Sequence, residues 1–275
     1  MVIRRVRDYL EAIDAIATQY GVRSTKEALL FRGISDHQFC LLPGVYRTFL
    51  AEAGGGAVER PQYGDATESE ILHHFIKNAM SLVDSIDRDD LLTWLTYAQH
   101  FGAPTRLMDF SANPLVSLYF ACRREFDVDG AVCVLHEKNY VQSLRLDRDE
   151  NRKKRDVLNE IMDNISDPCA QCTPYPVTFI PHFIDARMEA QNSRFLIWGS
   201  VRAPFEELAG PYGSMLDGEE EAFFCKLKID ASKKMELLRE LSFLGVNEKK
   251  LFPGLDGIGK YVAQYYRRTK EDYPF

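Results

Sequence analysis

The chain has 275 residues, of which 45% are hydrophobic and 27% are charged. This is the composition of a globular protein with a substantial core, and it excludes disordered and collagen-like chains. The formal net charge of −7 makes nonspecific binding of DNA or RNA unexpected, although a local basic groove is compatible with it.

The chain begins with a predicted helix and a predicted strand. Apolar residues recur at helical spacing over residues 6–20, and Gly21 favours a helix end there. Residues 28–33 are a short apolar run, which is typical of a buried strand. Three consecutive glycines within residues 51–66, followed by charge and proline, predict a mobile surface loop.

Two amphipathic helices are predicted next. Residues 67–86 open with Thr67 and Glu70, which have the spacing of a capping box. Residues 87–102 carry acidic side chains in their first turn, where they complement the helix dipole, and end in glycine.

The rest of the chain mixes strands with helices. Strands are predicted over residues 105–110, 130–137, 176–183, 194–201 and 222–229. Helices are predicted over residues 113–126, 145–165, 232–245 and 257–269, the second of them solvated because its charges are of both signs. No repeat or clear linker divides the chain, so we predict an α+β fold in one domain.

Three segments place polar residues against apolar elements. The first is Phe31-Arg32-Gly33, at the end of the predicted strand. The second is residues 98–121, which contain Gln99, His100, Thr105, Arg106, Asp109, Ser111 and Asn113. The third is residues 185–198, in which Arg187, Glu189 and Gln191 precede an aromatic strand.

Each segment also has a structural interpretation. Asp109, Ser111 and Asn113 suit the start of a helix, and Asn113 in particular is a favourable N-cap. Arg32 and Asp109 would form a buried ion pair that joins two strand ends. Gln99 and His100 would satisfy groups at a helix end, where a histidine cation is favourable.

Three motifs resemble the FRG-domain family, a bacterial family named for an aromatic-Arg-Gly motif. They are LLFRG (29–33), AQHFGAPTRLMDFSANPLVSLYFA (98–121) and LFPGLDGIGKYV (251–262). The second follows the family pattern Gln-His-x-Gly-x-Pro-Thr-Arg-Leu-x-Asp, an aromatic residue, Thr or Ser, and x-Asn-Pro. The resemblance implies a single FRG-domain protein over residues 1–275, with a motif core at about 26–125 and the remaining sheet and late motif reaching about 262. It also implies a part in a toxin–antitoxin or anti-phage system.

A weaker resemblance is to ADP-ribosyltransferases of the Arg-Ser-Glu type. Their order of an aromatic-Arg strand, a hydroxyl-bearing strand before an Ala/Phe-rich helix and a later glutamate is similar to Arg32, Ser111 and Glu189. It implies a split mixed sheet with an α-helical subdomain and NAD as a substrate. The implied catalytic residues are Arg32, Glu189, Ser111 and Asp109. The implied cofactor-binding residues are Arg32, Gly33, His100, Thr105, Arg106, Phe110 and Gln191.

The chemistry of NAD explains why these residue types would be needed. A forked guanidinium suits a pyrophosphate, and glycine allows the backbone to approach a ligand closely. Breaking the nicotinamide–ribose bond passes through an oxocarbenium-like state, which a carboxylate stabilises while a hydroxyl positions the ribose. Arg32, residues 109–111 and Glu189 are therefore expected to line one solvent-reachable cleft.

The sequence departs from the arginine-modifying transferases at two places. Gln191 occupies the position of the essential second acid of their Glu-x-Glu pair, and only Ser111 represents their Ser-Thr-Ser triplet. Glu189 could serve as the catalytic acid from its shifted position in the motif, or Asp109 could take that role. Alternatively, the fold could bind a nucleotide without catalysing a reaction.

The leading hypothesis is a toxin or defence effector that transfers ADP-ribose from NAD to a macromolecule. The alternative is a noncatalytic nucleotide- or partner-binding sensor. A nuclease is disfavoured, because no Asp/Glu/His cluster has metal-ligand spacing.

The remaining expectations concern compartment, metals and partners. Six scattered cysteines indicate reduced cytoplasmic thiols, and the CAQC segment (169–172) lacks a second Cys-x-x-Cys pair, so no metal site is predicted. No apolar run reaches the roughly 18 residues of a membrane-spanning helix, and no signal-peptide core is evident. A toxin would have an antitoxin or another neutralising protein as its partner, and its acceptor would be a protein or a nucleic acid.

Overall fold

The computed structural model describes residues 1–22, 29–53, 56–63, 67–83, 86–143, 154–209 and 223–266. The strands in these ranges are β1 (Val2–Ile3), β2 (Leu29–Ile34), β3 (Thr48–Ala53), β4 (Gly56–Pro61), β5 (Leu107–Ser111), β6 (Gly130–His136), β7 (Val177–Phe179), β8 (Ser193–Ile197) and β9 (Phe224–Ile229). The α-helices are α1 (Val6–Gln19), α2 (Glu68–Ala79), α3 (Leu91–His100), α4 (Pro114–Cys122), α5 (Glu137–Ser143), α6 (Lys154–Ser166), α7 (Ala186–Ala190), α8 (Phe205–Ala209), α9 (Lys234–Phe243), α10 (Glu248–Leu251) and α11 (Leu255–Tyr265).

One mixed sheet organises the fold. Its seven strands have the order β1-β9-β6-β2-β5-β8-β7. The β1–β9 pair is parallel and the other neighbouring pairs are antiparallel. With helices packed on this sheet, the chain has the predicted α+β architecture.

A separate hairpin of β3 and β4 corrects the prediction of a mobile loop over residues 51–66. Gly56, the last glycine of the run, begins β4 opposite Ala53 of β3, and glycine is favoured in hairpins as well as in loops. Residues 54–55 and 64–66 lie outside the described ranges.

The local signals for helix starts are confirmed. Thr67 caps α2, and both hydrogen bonds of the capping box with Glu70 are present. The Asn113 side chain accepts the N–H of Leu115 at the start of α4. The helix predicted from residue 87 begins instead at Leu91, because Asp90 caps it. None of the helices in the described ranges combines the length and the apolar character that crossing a bilayer requires.

The two faces of the sheet carry different parts of the core. Successive side chains of a strand point to opposite faces. Phe31 belongs to the core cluster that contains residues of α1, α4 and α9 on one face, and further along the same face Leu107 belongs to the cluster that contains residues of α2, α3 and α6. Leu30, Phe110 and Trp198 belong to the core cluster of the opposite face.

Candidate functional site

Arg32 and Ser111 project from opposite faces of the sheet. Phe31 lies directly opposite Ser111 between β2 and β5, so these two side chains share a face. Arg32 is the next residue along β2 and points to the other face, where its neighbours Leu30 and Ile34 enter the core. The guanidinium group therefore lies on the side of the sheet away from the Ser111 hydroxyl.

The sheet opens beside Arg32. β2 pairs with β6 along its whole length, whereas Phe31 and Ser111 form the sole register pair of β2 with β5 in the described residues. Arg32 bridges this opening by donating a hydrogen bond from Nη1 to the backbone carbonyl of Asp109. Its Nε is buried and has no hydrogen-bond partner in the described part of the chain. A buried donor without a partner is costly, and a bound acceptor would remove that cost.

A cleft of about 650 Å³ lies next to this opening. Four of its lining residues are Arg32, Arg47, Arg123 and Arg124, and we call it the arginine cleft. Arg47 follows the 3₁₀ turn over residues 44–46, and Arg123 and Arg124 follow the end of α4. None of the described residues that line the cleft is an Asp or a Glu. Positive charge is thus concentrated here in a chain whose net charge is −7.

The guanidinium groups of the arginine cleft differ in their charge compensation. Burial lowers the pKa of Arg32, the Asp109 carboxylate opposes this shift, and the positive charge of Arg47 adds to it. Arg123 is partly neutralised, because its Nη2 lies 3.3 Å from the Glu248 carboxylate. An anion in the cleft would relieve the repulsion between Arg32 and Arg47.

Gly33 is required for helix packing. A Cβ atom at Gly33 would lie 2.6 Å from the backbone nitrogen of Ala121 and closer still to the carbonyl oxygen of Ser117. The expected reason for this glycine was close approach to a ligand. Gly33 does line the arginine cleft, but the space that its missing side chain leaves is filled by the backbone of α4. The three residues of the motif therefore differ in role: Phe31 fills the core, Arg32 faces the arginine cleft, and Gly33 admits a helix.

Arg106 was predicted to bind a cofactor, but it belongs to a buried network. It is 3% exposed, and its Nε lies 2.6 Å from the carboxylate of Glu68. Its Nη1 also approaches the side chain of Asn164 and the carbonyl of Trp198. The Arg106 guanidinium thus connects α2, α6 and the end of β8, and it does not line the arginine cleft.

The other polar residues of the 98–121 motif also have protein partners. Thr105 Oγ1 donates to Gln99, and Gln99 Nε2 donates to the Asp109 carboxylate, both at 2.6 Å. His100 Nε2 lies 2.7 Å from a carboxylate oxygen of Asp185, which caps α7. These contacts hold α3 against β5 and α7. The predicted cofactor residues Thr105, His100 and Phe110, the last 3% exposed in the core, are absent from the described lining of the arginine cleft.

Ser111 and Gln191 come together where β5 meets β8. The Ser111 hydroxyl donates to the backbone carbonyl of Gln191 at 2.7 Å and accepts the N–H of Asn113 at 2.9 Å. The Gln191 side chain donates to the carbonyl of Leu251 at 3.0 Å. These hydrogen bonds join the end of β5 to α7 and α10.

Glu189 lines a second cavity, of about 800 Å³, together with Asn113, Lys249 and Lys250. We call it the lysine cavity. Arg32 is absent from its described lining, and Glu189 is absent from that of the arginine cleft. The expectation that Arg32, residues 109–111 and Glu189 line one cleft is therefore not met. The register of β2 turns Arg32 to one face of the sheet, and α7 carries Glu189 to another cavity.

The sequence did not single out three of the four cleft arginines. Arg47 follows a Pro-Gly turn, and such a residue is ordinarily a solvated surface cation. Arg123 and Arg124 end an apolar helix, where cations are favourable for the helix dipole alone. The sequence signal that could have pointed to Arg123 and Arg124 is their position as two consecutive arginines directly after a buried helix. Such a local pattern does not show that they lie near Arg32 in the fold.

Comparison with protein families matched residues 27–130 to the FRG domain. This segment contains both the Phe31-Arg32-Gly33 motif and the Gln-His-x-Gly-x-Pro-Thr-Arg motif, as well as three of the other cleft residues, Arg47, Arg123 and Arg124. No curated protein and no solved structure gave a match. Residues 27–130 of this chain are an FRG domain.

Proposed function

We propose that this protein binds a phosphate-bearing small molecule of the nucleotide class in the arginine cleft. The observation that carries the proposal is the convergence of four arginines on one cavity whose described lining contains no carboxylate. Guanidinium forks bind phosphate oxygens in bidentate geometry, and charge-assisted hydrogen bonds of this kind are roughly twice as strong as neutral ones. The unpartnered Nε of Arg32 supplies a donor that such a ligand would satisfy.

The size and the aromatic residues of the cleft favour a nucleotide over a bare phosphate. Its volume of about 650 Å³ lies within the range of small-molecule sites. Phe39 and Phe120 line it, and Phe39 is 54% exposed although it is a large apolar side chain. Aromatic faces stack on nucleobases. ADP, ADP-ribose and NAD all combine an aromatic base with a diphosphate.

An NAD-consuming ADP-ribosyltransferase, with the split sheet of that class, is the second candidate. The adjacency of β2, β5 and β8 favours it, because Ser111 contacts the segment that follows Glu189. Catalysis would require Glu189 to reach a ribose held at Arg32, and these residues line different cavities. Binding without chemistry is therefore the better-supported function. The toxin or anti-phage setting, with a neutralising partner, is compatible with either.

Calorimetric titration with ADP-ribose, ADP and NAD tests the binding proposal. Each of the variants Arg47→Gln and Arg124→Gln removes one charged donor, worth about 1.5–3 kcal/mol, so affinity should fall at least tenfold. The matched control is Arg7→Gln on α1, because the Arg7 side chain is 84% exposed and pairs with Glu11 at the surface. Absence of saturable binding by a folded protein, or equal affinity in all four proteins, would reject the proposal.

An NAD turnover assay decides between the two candidates. The protein is incubated with labelled NAD and cell macromolecules, alongside a Glu189→Gln variant. If the protein only binds nucleotides, NAD should remain intact and no macromolecule should become labelled. NAD loss that Glu189→Gln abolishes would establish the transferase instead.

A further inference from the structure

Lys234, the first residue of α9, is buried in a cage of backbone carbonyls. Its residue exposure is 0%. Its Nζ donates to the carbonyl oxygens of Ser35 at 2.6 Å, Glu125 at 2.7 Å and Arg124 at 3.2 Å. In the described part of the chain its hydrogen-bond partners are all backbone carbonyls. The ammonium group therefore uses all three of its donors to hold main chain.

Two of the three carbonyls belong to residues that line the arginine cleft, Ser35 in one wall and Arg124 in another, and Glu125 directly follows Arg124. Ser35 directly follows β2 and lines the cleft on the side of Arg32. Arg124 lines it from the end of α4, next to Arg123. Lys234 lies behind both walls and is absent from the described lining. Its ammonium group is thus a direct link between the end of the strand that carries Arg32 and the chain segment that carries Arg123 and Arg124.

Burial of this cation is costly, and stability alone is a poor reason for it. A buried ammonium loses its hydration, and burial accordingly lowers the pKa of Lys234. Apolar residues of similar volume often replace buried charges without loss of stability. The surroundings are also shaped for this side chain, because a Cβ at Gly130 would lie 3.2 Å from the Cε of Lys234 and 2.6 Å from the Ala121 carbonyl.

We propose that Lys234 is a positioning residue that fixes the spacing of the arginines across the cleft. This inference rests on the proposed function, since the spacing matters only if a phosphate-bearing ligand spans the two walls. Lys234 itself does not touch the ligand. It sets the distance between the β2 end and the α4 end, and thereby lets guanidinium groups from both walls reach one ligand.

The test compares Lys234→Met with Leu237→Ala. Lys234→Met keeps the length of the side chain and removes the ammonium group. Leu237 is also 0% exposed on α9, and it packs in the core without lining the cleft, so its variant controls for general loss of packing. ADP-ribose affinity is measured by calorimetry well below the melting temperature of each protein. Amide hydrogen exchange of residues 35–39 and 123–128 is measured without ligand.

We expect Lys234→Met to lose tenfold to about a hundredfold in ADP-ribose affinity, since small misplacements of binding groups have effects of this order. Exchange should speed up in both wall segments. Leu237→Ala should melt earlier and still bind ADP-ribose with the affinity of the parent protein. Lys234→Gln is a second variant, to be used if Lys234→Met does not fold. Because it keeps a hydrogen-bond donor on a shorter side chain, it should bind ADP-ribose with intermediate affinity.

Parent-like affinity and parent-like exchange in a folded Lys234 variant would overturn the positioning role. Failure of both Lys234 variants to fold would overturn it too, by assigning Lys234 to stability. If the parent protein binds none of the nucleotide probes, the proposed function fails. The exchange data then still decide whether Lys234 joins the two walls.

Discussion

Replacement of Gly33 by alanine tests why the third residue of the FRG motif is glycine. The added Cβ would lie 2.6 Å from the Ala121 nitrogen and closer to the Ser117 carbonyl, whereas ordinary contacts begin at 3.4 Å. Both atoms are backbone atoms of α4, so no side chain can rotate away. The helix would have to move by about 1 Å or more relative to β2, which also shifts Arg123 and Arg124 at its end.

The expected cost follows from the rigidity of this contact. Inserting one carbon into a packed core costs about 1–3 kcal/mol, and an obstacle made of helix backbone places Gly33→Ala at the upper end, at about 3 kcal/mol. For a chain of this size each kcal/mol lowers the melting temperature by roughly 2–4 °C, so a decrease of about 6–12 °C is expected.

Thermal unfolding followed by circular dichroism measures this shift. Gly259→Ala in α11 is the matched control, because a Cβ there meets no atom within 4 Å and alanine favours helix. The control should melt at the temperature of the parent protein or slightly above it. A Gly33→Ala protein that melts within about 2 °C of the parent would refute the close packing of α4 on β2, since even 1 kcal/mol shifts the midpoint by that amount.

Two further predictions concern buried groups. Glu68→Gln leaves the Arg106 guanidinium without its counter-ion and should cost about 3–5 kcal/mol in a urea titration; a cost below about 1 kcal/mol would contradict the buried pair. Burial raises the pKa of Cys122 and of Cys133 to about 12. Since unfolded thiols titrate near pH 8.5, the unfolded chain loses its protons first, and the free energy of unfolding should fall as pH rises from about 8.5 toward 12. A Cys122→Ala, Cys133→Ala protein should lose part of this dependence, and an identical slope would contradict it.

The sequence predicts the parts of the fold that local chemistry controls. The capping box of Thr67 and the cap at Asn113 depend on side chains within three residues of the groups they bind, and both are found. The strand over β2 was recognisable because its apolar run is short and ends at Gly33. The β3–β4 hairpin was missed, since a run of glycines in the sequence is as compatible with a loop as with a hairpin.

The arrangement of the site depends on information that is not local. A register shift of one residue moves a side chain to the other face of a sheet, so the order of Arg32, Ser111 and Glu189 along the chain could not show that Arg32 and Ser111 face apart. The partner of Arg106 is Glu68, which is 38 residues away. Gln99, Thr105 and Arg106 of the long 98–121 motif thus bond within the protein. Met108 and Phe120 of the same motif line the cleft, and its last helix delivers two arginines to the cleft just beyond its end.

The most direct test of the arginine cleft is a crystal structure of the protein with ADP-ribose bound. We expect phosphate oxygens within hydrogen-bond distance of Arg32 and Arg47, with at least one further contact from Arg123 or Arg124. A diphosphate bound instead at Lys249 and Lys250 in the lysine cavity, with the arginine cleft empty, would contradict nucleotide binding in the arginine cleft.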